Sequence, residues 1–288
     1  MNRRMIFSKY IKILISIIII FFTNPHQIFS NNIEIIEKGE DSLKHYFSQI
    51  IAEKTDLKKE LINSKILTEF RAILKVEESF NYKFDSLKNI GVLNSSDKKL
   101  RIITWNIPYS DGTHKYFGFI QFRKTKNQIL TFELNDNSLK IKNPETQILN
   151  HENWYGALYY KIIENKNKGK TYYTLLGADL NNLFTHKKII EVLYFGKKDS
   201  PVFGDSVFKN QKSAITRVIF EFNAQSNMTL TYDENMQMIV YDHLSPSRPS
   251  LKDQFEFYGP DFSYDGLKFE RGIWNRYQEI DVRNYMLE

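Results

Sequence analysis

After Asp97 the spacing of apolar residues changes, from one every three or four positions to one every second position. Successive side chains of a strand point to opposite faces, so a period of two is the mark of a half-buried strand. The clearest run is 216–265. Val218, Phe220 and Phe222 share one face, with Arg217 and Glu221 on the other. Met228, Leu230 and Tyr232 alternate with Thr229 and Thr231, and 237–241 is mostly apolar on both faces. The breaks at 224–227 and 233–235 are hairpin-sized. The run therefore predicts a three-strand antiparallel meander, because parallel neighbours need longer crossovers.

The same period predicts strands at 100–107, 116–123, 129–134, 156–163, 171–177, 188–195, 216–222, 228–232 and 237–241, with more strand at 254–258, 266–270 and 277–282. Turn chemistry falls between them at Ser110-Asp111-Gly112, in 165–169 and in 196–199. Before Asp97 the pattern is helical. Leu43, Tyr46, Phe47, Ile50 and Ile51 form a stripe over 41–52, with Asp41 placed to cap it. Leu57, Leu61, Ile66, Phe70, Ile73 and Leu74 form another over 56–76, and 84–90 predicts a short third helix ending at Gly91. The fold class expected is mainly β (α+β): a curved antiparallel β-meander, barrel- or sandwich-like, with a small N-terminal helical segment. The expected divisions are 1–30, 31–97 and 98–288. The longest loop, 135–153, reads as a lid or an edge cover.

The first thirty residues read as a secretory signal. Arg3, Arg4, Lys9 and Lys12 precede an apolar run over 13–22, and Ser30 is the expected cleavage point although Ile28 fits it poorly. The run is short for a bilayer span, which needs about 20 apolar residues, so no stable membrane insertion is expected after cleavage. Removing the four basic and no acidic residues of 1–30 takes the formal charge from +6 to +2. A nucleic-acid partner is then not expected. The chain has no Cys, so an exported form must hold itself together by its core, and 22 Phe with 17 Tyr supply one. The expected location is periplasmic or secreted.

The segments FDSLKNIGVLNSSDKKLRIITWNI, DGTHKYFGFIQF, NWYGALYYKII, YYTLLGADLNN, KKIIEVLYF and MIVYDHLSPSRPSLKDQFEFYGPDFSYDG cover most of the chain after Phe84. They resemble an uncharacterised exported family of Bacteroidetes-type bacteria. The resemblance implies export and one long domain; it carries no activity or cofactor.

Four constellations bear on chemistry. Asp242-His243 with Asp261 and Asp265 places an imidazole among carboxylates, a set that can bind a metal or act as general base. Asp242 and His243 point opposite ways while the strand persists. Asp179, Asn181 and His186 give an oxygen-rich hairpin loop, a metal candidate that its own Asx turns equally explain. Tyr258 and Tyr264, with Asp261 and Asp265, could line a ligand cleft or supply paired acids; packing of the rings into the core is the plainer reading. Trp154 and Tyr155 beside the long loop are the exposed-aromatic candidates for ligand binding. His114 joins a site only if folding brings it near His186 or His243. Gly204-Asp205-Ser206 lacks the setting of a nucleophile elbow.

With no strong catalytic signature, the function expected is a non-catalytic envelope protein that binds a ligand or protein partner. The alternative is a metal-assisted hydrolase acting on an envelope or glycan substrate, built on His243, Asp261 and Asp265, with Asp179 or His186 as optional further members. No motif names a cofactor.

Overall fold

The computed structural model describes residues 25–126, 128–209 and 215–282. Among these described residues the fold is mainly β, with two helices and three antiparallel sheets, none closed into a barrel.

Helices α1 (Pro25–Ala52) and α2 (Asp56–Ile73) form a hairpin. Helix α1 begins well before 41, and Asp41 is an exposed residue in its interior, not its cap. The buried stripe extends back through Ile36. The helix runs through the expected cleavage point after Ser30. Residues 1–24, which carry the basic and apolar parts of the expected signal, lie outside the described residues. At Gly39 a Cβ would lie 2.5 Å from Ile73 Cδ1, so the two helices approach where only glycine fits. Ile51, Leu57 and Leu61 are exposed at the hairpin tip, because the core beneath takes up Leu43, Phe47 and Ile50 from α1 and Ile66, Phe70 and Ile73 from α2.

No helix forms at 84–90. A 3-10 turn occupies Glu77–Asn81, and Phe84 turns left-handed (φ 55°) with its ring against Phe70 and Tyr82. Gly91 opens a strand instead of closing a helix. So short a segment cannot hold a helix without tertiary support.

The first sheet runs β1 (Gly91–Asn94), β2 (Leu100–Pro108), β3 (His114–Thr125), β4 (Gln128–Asn135) in chain order. The second holds β5 (Leu149–Asn150), β6 (Leu158–Asn167), β7 (Lys170–Asp179), β8 (Thr185–Phe195), β9 (Pro201–Phe203) and β10 (Arg217–Asn223). Strands β9 and β10 share one edge of β8, β10 along Thr185 to Glu191 and β9 along Leu193 to Phe195. The third runs β11 (Leu230–Asp233), β12 (Met238–Pro246), β13 (Tyr258–Glu270), β14 (Ile273–Tyr277).

The expected three-strand meander is therefore split. Its last two strands pair as β11 and β12, while β10 joins β8 in the sheet before. Alternation fixes which face a residue takes, not which neighbour its strand pairs with. The strand expected at 254–258 is a 3-10 turn over Phe255–Phe257, and the one expected at 277–282 ends at Tyr277.

The sheets stack as layers. One face of the first sheet, with Ile103, Trp105, Ile107, Phe117 and Phe119, packs on the helical hairpin. Its other face, with Leu100, Ile102, Tyr116 and Ile120, packs on Tyr159, Tyr173, Leu175 and Ile189 of the second sheet. The second sheet's far face meets Leu230, Ile239, Tyr241, Leu267 and Trp274 of the third. Val282 lies with Met238 and Val240 on the outermost face. The first and second sheets are thus covered on both sides, which explains their near-continuous apolar runs. Strands β1 and β11 both lie beside β6.

The loop 135–153 is an edge cover. Its Glu145 carbonyl accepts from the backbone of Thr216 (2.8 Å), and Leu149 pairs with Phe203.

Candidate functional site

The register of β12 and β13 breaks at His243. Asp242 pairs with Tyr264 and Leu244 with Pro260, so one residue faces three: Asp261, Phe262 and Ser263. Bulges re-aim side chains and are common beside functional sites. Here the bulge is pinned by Asp261. Its Oδ2 lies 2.7 Å from His243 Nδ1, and its Oδ1 accepts from Ser263 N (3.1 Å) and Ser263 Oγ (2.7 Å). Partial burial pushes the Asp261 carboxyl up, but hydrogen bonds from Ser263 and His243 outweigh it and hold the group below the ordinary carboxylate range. Phe262, at the apex, has φ 70° and is 95% exposed. A left-handed non-glycine residue costs about 1–2 kcal/mol, and such strain persists only where surrounding contacts impose it.

The carboxylate-braced imidazole has the form of a general base. The hydroxyl bonded to the same carboxylate, Ser263 Oγ, donates to Asp261 and not to the ring. The other two carboxylates of the constellation have different partners. Asp242 is buried and accepts from Thr229 N at 2.6 Å. Asp265, 1% exposed, accepts from Arg276 Nη2 at 2.6 Å and from Glu279 N at 3.1 Å. Folding thus joins His243 to Asp261 and binds Asp265 elsewhere. Tyr264 packs on the outer face with Met238 and Val240. Tyr258 is half-buried, its ring 5.2 Å from Phe255 and its hydroxyl accepting from Asp253 N.

A second polar assembly lies where the first and second sheets meet. Asp179 is buried, its Oδ1 accepting from Tyr116 Oη (2.8 Å) and Asn181 N (2.7 Å). His114, on β3, sits 2.7 Å from Asn106 Nδ2. Burial pushes the His114 imidazole down; the Asp179 charge opposes that and His186 adds to it. His186 also sets its ring edge-on to Phe222. Among the described residues, no group of three or more His, Asp or Glu is placed to hold a metal.

Trp154 and Tyr155 are buried, not exposed. Trp154 Nε1 donates to Tyr159 Oη at 2.8 Å, and the Tyr155 ring lies under the Arg217 guanidinium. Both rings belong to the core between the first and second sheets, where Ile141 and Leu149 of the long loop also pack. The feature missed from sequence is Phe262. The signal available was Asp261 two positions before Ser263, an Asx turn inside a strand-like run.

Comparison of the chain with protein-family models, curated proteins and solved structures finds no match.

Proposed function

We infer that this is an exported, non-catalytic binding module of the bacterial envelope, and that the β12–β13 bulge presents Phe262 to a protein partner. The observation that carries this reading is the pairing of strain with exposure. Phe262 holds a left-handed backbone and a ring 95% open to water. A phenyl ring in water loses free energy that burial against a partner would recover, on the order of 2–3 kcal/mol. Aromatic anchors of this kind dominate binding energy at protein interfaces. The basic and apolar pattern of residues 1–30 supports export, and so does the resemblance of the chain after Phe84.

The metal-assisted hydrolase has less support. Its three named residues divide between two sets of partners, with Asp265 committed to Arg276.

Photo-crosslinking tests the binding reading. A benzophenone side chain is placed at Phe262 and, as control, at Leu139, which is 101% exposed on the long loop. In cells expressing each form, a discrete adduct from position 262 and none from 139 is the outcome expected. No adduct at 262, or equal adducts at both, would overturn it.

A further inference from the structure

Strand β4 is an edge of the first sheet, and much of its outer side is unpaired. The orientation follows from the ladder. Arg123 N donates to Lys99 O, towards β2, so the alternate residues Phe122, Ile120 and Gly118 turn their backbone groups to β4. Their partners there are Leu130, Phe132 and Leu134. The backbone groups of Ile129, Thr131, Glu133 and Asn135 consequently point away from the sheet. Asn135 is satisfied: its N–H donates to His151 O at 2.8 Å, and its carbonyl accepts from Trp154 N at 2.9 Å. Those of Ile129, Thr131 and Glu133 have no partner among the described residues.

Beside this edge lies a cleft of about 670 Å³. Leu74, Val76 and Phe119 line it, together with Ile129 and Thr131 of the edge strand. Arg71 and Glu133 bridge its two walls with a bidentate pair at 2.7 Å for both bonds, so the charges there cancel.

We propose that this edge and cleft accept an extended segment of another polypeptide, which adds to the first sheet as a further strand. The chain's own segment around His151 and Trp154 already adds to the same edge at Asn135, and the three free residues continue that line. Main-chain bonds to Ile129, Thr131 and Glu133 would supply affinity, and alternate side chains entering the cleft would supply selectivity. Lys75 and Glu77 also line the cleft, one charge of each sign, so with Arg71 and Glu133 paired the lining carries no net charge and the entering side chains are uncharged. This surface is separate from the bulge and does not depend on it.

The probe is a fluorescent heptapeptide alternating valine and threonine, with a lysine at each end. Its partner probe is the same peptide N-methylated at every valine and threonine amide, which keeps the side chains and removes the donors on both edges. The structure expects the first to bind, with slowed amide exchange at Ile129, Thr131 and Glu133, and the second to bind at least tenfold more weakly. Thr131→Pro deletes an N–H that has no partner among the described residues, together with only a long 3.5 Å bond from Thr131 Oγ1 to Leu74 O, so it should abolish binding while the melting curve stays close to the parent's. Phe262→Ser should leave peptide binding unchanged, which keeps this test apart from that of the bulge. No binding by the first peptide, or equal binding of the two peptides, would overturn the proposal whatever the stability of Thr131→Pro.

Discussion

Arg217 and Glu191 stand directly opposite each other on β10 and β8, both side chains wholly buried, with Arg217 Nε 2.6 Å from Glu191 Oε2. Tyr159 Oη donates to the other carboxylate oxygen, and Arg217 Nη1 donates to Pro144 O. The pair thus ties the second sheet to the long loop that covers its edge.

Breaking one half of that pair leaves an uncompensated charge in the core. Glu191→Leu and Arg217→Met are each expected to lower unfolding free energy by about 3–5 kcal/mol. The double variant removes both charges and should recover most of the loss, apart from the Tyr159 hydroxyl left without its acceptor, about 1–3 kcal/mol. Urea titration of the four proteins checks this; a double variant as unstable as the sum of the singles would refute it.

Phe262→Gly separates stability from binding. It removes about 1–2 kcal/mol of left-handed strain and returns about 0.4–1 kcal/mol to unfolded-chain entropy. With the ring 95% exposed, no burial is lost. The variant should be slightly more stable than the parent by thermal melting, yet should lose the partner. A clear drop in melting temperature would mean the ring supports the fold.

The bulge should carry a signature in acid. The Asp261 carboxyl is held below its ordinary value in the fold, so its contribution to stability is present above the unfolded-state pKa, about 3.9. It is lost as pH falls through the lower folded-state value. Asp261→Asn should therefore flatten the parent's loss of stability below about pH 4, and His243→Ala should flatten it partly. Denaturation midpoints from pH 6 to pH 2 would read this out, and parallel curves for all three proteins would count against it.

Gly156 should tolerate no side chain. Its φ is 83°, and a Cβ would come within 2.8 Å of the Asp136 carboxylate, which accepts from Tyr116 N and Ser138 N. Gly156→Ala is expected to cost more than the about 1–2 kcal/mol of left-handed strain alone. A melting shift no larger than that of an exposed Gly169→Ala, where nothing lies within 4 Å, would contradict it.

The strands were legible because stacked sheets leave a period of two in the sequence, and the layers gave Ile189, Ile190 and Val192 apolar partners on both sides. Neighbour choice was not legible. Nothing in residues 216–222 distinguishes pairing with β11 from pairing with β8, since both keep Phe222 inward. The polar face of β10 gave no sign of burial either, because the partner of Arg217 lies 26 positions away. His243 and Asp261 were both singled out, but their bond depends on a bulge, and a bulge is one residue set against three with no fixed composition. Trp154 and Tyr155 were misplaced for a related reason. A long polar loop suggests exposure, whereas this one lies along an edge and its rings pack into the core between two sheets.

The layers follow the order of the chain: helices, then three sheets, each resting mainly on the one before. Such a molecule has no keystone. Drawn apart by its two ends under load, it should yield as a deck of cards does, giving a sawtooth of separate force peaks instead of one abrupt rupture.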